Sequence, residues 1–273
     1  MTSQAKVKFY DAQYVGFAED IYRAIRAETH DEDIGQNGWL SAAEQDLFLS
    51  WLGLKPGQKV LDVACGSGGP SIRIAQRTGC RVLGIDVHAD GLARAAEAAK
   101  KLGLADRVRF QQVDAAAALP FATASFDALI CIDAINHLRE RPRVLAEWAR
   151  VVKPGGRILF TDPIVVTGAL SNEEIAIRSS IGYFLFVAPE TDRQMLEAVG
   201  CEVIRVKNHT ANMAHAARRW FAARARREEG LRRIEGDTTY EGQQTFLDVA
   251  ARIAEQGRLS RFAYLARAPL PAA

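Results

Sequence analysis

Three observations predict an α/β fold, a mostly parallel sheet with helices on both faces and a helical cap. Short apolar runs alternate with helical segments between residues 60 and 161, the succession that builds parallel sheets. The run 126–132 is almost wholly apolar, as a central strand buried on both faces must be. A glycine-rich turn, Cys65-Gly66-Ser67-Gly68-Gly69, directly follows the first apolar run. Such a turn lets backbone approach a ligand while the next helix offers its N-terminal amides.

Tyr10, Tyr14, Phe17, Ile21, Tyr22 and Ile25 form an aromatic and apolar stripe at near-helical spacing over 7–29, and a polar stretch follows to Gly38. Ser41 with Glu44 reads as a capping box opening a helix over Ala42–Leu52, which Gly53 ends. Strands are expected at 60–64, 81–86, 108–113, 126–132 and 157–161, with helices at 70–77, 90–102 and 143–152 between them. Pro154-Gly155-Gly156 reads as the turn before the fifth strand. Beyond Pro163 the rhythm breaks. One or two helices with the cluster Tyr183-Phe184-Leu185-Phe186 are expected over 164–187, then a helix at 191–199 and a strand at 202–208. A long Arg-rich helix over 211–235, a helix over 241–256, a last strand at 262–266 and a frayed C-terminus complete the chain. The division expected is an N-terminal helical cap (1–40), a ligand-binding core (41–163), an inserted cap (164–200) and a C-terminal part completing the sheet (201–273).

The 273 residues are 48% hydrophobic and 25% charged, enough for a core without disulfides or metals. A net charge of +2 argues against a binder that relies on long-range attraction to nucleic acid. Cys65, Cys80, Cys131 and Cys201 lie far apart without CxxC spacing, which reads as buried free thiols of a reducing compartment. With neither a signal-peptide pattern nor a membrane-length apolar run, the expected location is the cytoplasm. The acids of His30-Asp31-Glu32-Asp33 lack the distant ligands of a metal site.

Asp62 lies inside the first strand, four residues before Gly66, where burial demands partners, most naturally amides of the adjacent loop. Asp86 ends the second strand, placed to accept ribose hydroxyls, and Asp114 ends the third, placed to accept from an adenine amino group. A nicotinamide enzyme shares the glycine turn and an acid about 20 residues on, but Asp62 and Asp114 fit it poorly.

Taken as a set, these features resemble the class I S-adenosylmethionine (SAM)-dependent methyltransferases over residues 40–165. The resemblance implies a Rossmann-like seven-stranded sheet with the last strand antiparallel, SAM as cofactor and S-adenosylhomocysteine as product. It places Gly66 and Gly68 beside the methionine part of SAM, Asp86 on the ribose, Asp114 on the adenine, and Val87, Ala115 and Ile132 beside the bound cofactor. Within that superfamily the segment Asp133-Ala134-Ile135-Asn136-His137-Leu138 and a tyrosine before a glycine-containing loop resemble the phosphoethanolamine N-methyltransferases. This implies His137 and Tyr22 as a lid-and-base pair, with Gln36 and Gly38 touching the cofactor. Those enzymes carry a basic residue just before the tyrosine matching Tyr183 to hold substrate phosphate. Here Ser180-Ile181-Gly182 precede it, and the nearest arginine is Arg178.

Methyl transfer is an in-line displacement in which the protein supplies alignment and excludes water. His137 stands where a general base belongs, since an imidazole titrates near neutrality. Asp133 either orients it, attracts a cationic amine or caps the turn. Tyr183 and Asp162 are candidate substrate contacts. A small metabolite methylated on N, O or C is the expected acceptor, with N favoured by the resemblance. RNA or protein methylation, non-catalytic SAM binding and nicotinamide chemistry are the alternatives. The arginines of 218–233 are interleaved with Glu228, Glu229 and Glu235, which reads as an amphipathic helix with a solvated charged face.

Overall fold

The computed structural model describes residues 19–270. Tyr10, Tyr14, Phe17, the N-terminal stretch read for targeting signals and the last three residues of the expected frayed end lie outside them. Seven strands form one sheet in the order β3-β2-β1-β4-β5-β7-β6. In chain order they are β1 (Lys59–Val63), β2 (Arg81–Asp86), β3 (Val108–Gln112), β4 (Phe126–Cys131), β5 (Val152–Val166), β6 (Glu202–Asn208) and β7 (Leu259–Arg267). β1 to β5 pair in parallel, and β7 runs antiparallel to both β5 and β6. This is the Rossmann-like, mostly parallel sheet that the sequence predicts.

The helices are α1 (Asp20–Thr29), α2 (Ala42–Leu52), α3 (Gly69–Thr78), α4 (Ala89–Lys101), α5 (Arg141–Val151), α6 (Asn172–Arg178), α7 (Thr191–Ala198), α8 (Thr210–Ala225), α9 (Glu228–Glu235) and α10 (Asp237–Glu255). One apolar cluster joins Leu61, Val63, Leu129, Trp148 and Phe160 on one face of the sheet. A second joins Phe48, Ile74, Val82, Ile130 and Leu159 on the other. Both faces of β1 and β4 are thus covered, which is why their sequences are continuous apolar runs. A helical layer of α1, α8, α9 and α10 closes on itself through Trp39, Met213, Phe246 and Leu247 and through Ile25, Ala223, Leu231 and Tyr240. It grips the sheet where Val249 and Ile253 meet Ile164 and Leu259.

Several expectations are corrected. Residues 164–187 hold one short helix, α6, within the one or two expected, but β5 runs on to Val166 and residues 182–187 lie as irregular chain against the turn after β4. Pro154-Gly155-Gly156 is carried inside β5 rather than before it. The Arg-rich segment is two helices, broken at Arg226 and Arg227. Its seven arginines do not simply face water. Arg218 meets Asp248 and Glu255, Arg219 meets Asp31, Arg224 meets Glu235, Arg226 and Arg227 meet Glu28, and Arg232 and Arg233 meet Glu228 and Glu229. Only half of the expected capping box at Ser41 forms: Ser41 accepts from the Glu44 amide, while the Glu44 carboxylate turns inward to Arg261. A complete box appears instead at Ser171 and Glu174. Among the described residues no helix is long and apolar enough to cross a membrane, and no group of side chains is arranged to hold a metal. All four cysteines are free and buried.

Candidate active site

β1 lies between β2 and β4 while the next crossover turns the other way, so a crevice opens beyond the C-terminal ends of these parallel strands, where doubly wound folds hold ligands. A cavity of about 400 Å³ fills it, within the range of small-molecule sites. Its walls include Gln36, Gly38, Asp62, Gly66, Asp86, Val87, Asp114, Ala115, Ile132, Asp133, His137 and Tyr183. Residues read from six separate stretches of sequence therefore meet on one surface.

The floor is the turn after β1. Gly68 has φ +75°, and a Cβ there would stand 2.5 Å from the Ala95 Cβ and 2.7 Å from the Phe110 ring. Gly69 is as constrained, since its Cβ would fall 2.1 Å from the Ile34 carbonyl oxygen. The glycines let the turn lie flat against β3, α4 and the 34–35 loop at once. Gly68 itself is behind the wall, outside the cavity lining. Asp86 braces the turn: its Oδ2 accepts from the Gly66 amide at 2.8 Å. Its Oδ1 takes the His88 amide at 3.0 Å and lies 2.7 Å from His88 Nδ1. With about four lone-pair sites on a carboxylate, Oδ2 keeps one for a ligand. Asp114 is exposed to the crevice, and its carboxylate accepts only the Ala116 amide among the described residues, at 2.9 Å. Gln36 is buried but spends its amide on its own loop, accepting from the Ile34 amide and donating to the Glu32 carbonyl.

Asp62 is wholly buried in β1. Its partner is not a loop amide but the Ser71 hydroxyl of α3. Burial pushes its carboxyl up to about 7, the neighbouring Asp86 adding to the rise against the Ser71 hydrogen bond.

Asp133, at φ +54° just past β4, is held from several sides. Thr161 Oγ1 donates to Oδ1 at 2.7 Å and accepts the Asp133 amide at 2.8 Å. Arg261 Nε donates to Oδ1 at 2.6 Å. Burial raises the Asp133 carboxyl, with Arg261 opposing. Asp133 therefore pairs with Arg261 of β7. The buried Arg261 goes on to donate to both oxygens of Glu44, at 2.8 and 2.7 Å, and Glu44 lies 2.7 Å from His209 Nδ1. Burial works to raise the Glu44 carboxyl, but Arg261 and His209 outweigh it and hold it low.

His137 ends a 3-10 turn (Ile135–His137). Its Nδ1 lies 2.8 Å from the Tyr183 carbonyl oxygen, and its ring meets Phe184 edge-on with centroids 4.8 Å apart. A carbonyl only accepts, so Nδ1 carries a proton and Nε2 is the basic nitrogen of the neutral ring. The Leu185 amide donates to the Asn136 carbonyl at 2.9 Å and fastens the same two segments together.

Besides Gly68, two expected residues lie outside the cavity wall. Tyr22 is not in the cavity wall: its hydroxyl donates to Glu235 at 2.7 Å within the helical layer, and burial first, then Glu235, raises it well above the usual phenol value. Asp162 is fully buried beneath the site, where one Arg141 nitrogen reaches both Asp162 and Asp192, at 2.7 and 2.6 Å. Burial and the adjacent Asp162 push Asp192 up to about 7. Arg178 is likewise interior, its guanidinium over the Phe184 and Phe246 rings. Sequence reasoning missed Ser71, His88, Arg139 and Arg261. His88, two residues past Asp86, carried the signal of an Asx turn. Arg261 carried none.

A family model described as a methyltransferase domain matches residues 60–156. The curated relatives include methyltransferase GfsG of Streptomyces halstedii, 41% identical over 46% of this chain and 45% of that protein. Phosphoethanolamine N-methyltransferase 1 of Zea mays is 29% identical over 73% of this chain and 40% of that protein. The chain thus spans about half the length of these relatives or less. Among solved structures, the cyclopropane synthase MmaA2 from Mycobacterium tuberculosis superposes with a TM-score of 0.83 at 16% identity, covering 96% of this chain and 98% of that one, a likeness of fold.

Proposed function

We propose that the chain transfers a methyl group from SAM to a nucleophilic atom of a small molecule, releasing S-adenosylhomocysteine. The observation that carries the reading is the meeting of His137 with the glycine turn, Asp86 and Asp114 on one cavity. The donor set fits the cofactor. Asp86 offers a lone-pair site to a ribose hydroxyl, Asp114 accepts an amino group, Val87, Ala115 and Ile132 supply apolar walls, and the turn leaves room for backbone contact at Gly66. Gln36 and Gly38 would close the near side. When bound, SAM supplies a sulfonium-activated methyl group. His137, fixed through Nδ1, directs Nε2 to take the proton from the acceptor as it attacks. Tyr183 and Phe184 cover the reacting centre and shed water.

Nitrogen is the favoured acceptor, on the likeness to phosphoethanolamine N-methyltransferases. A phosphorylated acceptor is disfavoured, because Arg178 is turned into the interior. Pairing of the α8 and α9 arginines with carboxylates supports a small-molecule acceptor over RNA, and four free thiols support the cytoplasm. The test is transfer of labelled methyl from SAM to a panel of amines, phenols and carboxylic acids, repeated with His137→Ala. The variant should turn over about 100-fold or more slowly while binding S-adenosylhomocysteine within about twofold of wild type. Undiminished turnover removes His137 as the base.

A further inference from the structure

The charged groups of the cavity wall are unevenly distributed. Asp62, Asp86, Asp114 and Asp133 line it, yet Arg139 is its only guanidinium or ammonium among the described residues. Asp133 is already answered by Arg261, and Asp86 by an amide and His88. Arg139 is exposed at the rim, two residues past His137. No described carboxylate stands within ion-pair reach of it, and its guanidinium lies over the Tyr183 ring, 4.8 Å from the centroid. A guanidinium held over a ring face by a cation–π contact leaves its N–H groups available to other acceptors.

Tyr183 thereby does two things: its carbonyl oxygen takes the Nδ1 proton of His137, and its ring backs Arg139. One residue sets the base and the cation in a fixed relation. We infer that Arg139, braced on Tyr183 at the cavity rim, is an anchor for a carboxylate of the methyl acceptor, holding the acceptor so that its nucleophilic atom faces His137. Two parallel N–H groups match a carboxylate. A single exposed cation beside several acids balances one negative charge and leaves a dianionic phosphate half neutralised. The inference rests on the methyltransferase reading and names the acceptor class within it: small molecules bearing a carboxylate as well as the atom to be methylated.

The test separates the two claims by using binding probes in place of turnover. Dissociation constants for 4-fluorobenzoate, 4-fluorobenzyl alcohol and 4-fluorophenyl phosphate are measured by fluorine NMR on wild type and Arg139→Gln, with S-adenosylhomocysteine measured by calorimetry on both. Wild type should prefer the benzoate. Arg139→Gln should weaken benzoate binding about tenfold and leave the alcohol and S-adenosylhomocysteine unchanged. Tyr183→Leu should weaken the benzoate about threefold, and Tyr183→Phe, which keeps the ring, should not. Equal or absent benzoate binding in wild type and Arg139→Gln overturns the inference. So does tighter binding of the phosphate, or a loss of S-adenosylhomocysteine affinity in Arg139→Gln, which would assign the arginine to the cofactor's own carboxylate. Failure of wild type to bind S-adenosylhomocysteine sinks the methyltransferase reading and leaves the benzoate comparison intact.

Discussion

A carboxylic acid sealed inside a strand must either lose its proton to a partner or keep it. Asp62 has a hydroxyl for company and Asp86 nearby, and burial lifts its pKa to about 7. The unfolded value of an aspartate is about 3.9, so between these limits the folded chain binds more protons than the unfolded one. Stability attached to Asp62 is therefore full below about pH 4 and lost as pH rises through about 7. In urea denaturation the wild type should lose stability relative to Asp62→Asn between pH 5 and pH 8. Parallel curves would mean that Asp62 is ionised in the fold. Asp62 was legible as a buried acid because it interrupts an apolar run. That Ser71 is its partner was not, since a hydroxyl at the first turn of a helix is an ordinary cap or turn residue in sequence.

At the scale of elements, the site depends on β7 and α2 as much as on the strands that line it. Arg261 joins Asp133 past β4 to Glu44 of α2, across sequence separations of 128 and 217 residues. Arg261→Met should cost about 3–5 kcal/mol, because two buried carboxylates lose their cation. The loss should shrink in acid, where both can protonate. An equal loss at every pH would point to packing instead. Local reading could not find this pair: Glu44 looked like half of a capping box, and Arg261 lies in a strand of no distinctive pattern. Tyr22 is the opposite case, a residue whose local context resembled a catalytic one and whose helix packs on α8 and α9. Tyr22→Phe should cost about 1–2 kcal/mol through the lost bond to Glu235 and leave turnover within about twofold of wild type. A collapse of turnover would return Tyr22 to the chemistry.

Over the whole molecule, the succession of strands and helices through β5 was legible because short apolar runs alternate with helical segments, while the order of the strands in the sheet, whose reversal between β1 and β4 opens the cavity, came from the structure. The cap was less so. Its helices owe their limits to ion pairs such as Arg224 with Glu235 and to the docking of residues 182–187 on the turn after β4, neither of which has a period to read. The same docking brings Tyr183 to His137 and Arg139. The central claim is that this crevice holds SAM. It is tested most directly by calorimetric titration of the folded protein with S-adenosylhomocysteine, SAM and NAD. Micromolar binding of the first two, with none of NAD, is the expected result. No binding of either, or binding of NAD alone, would contradict it.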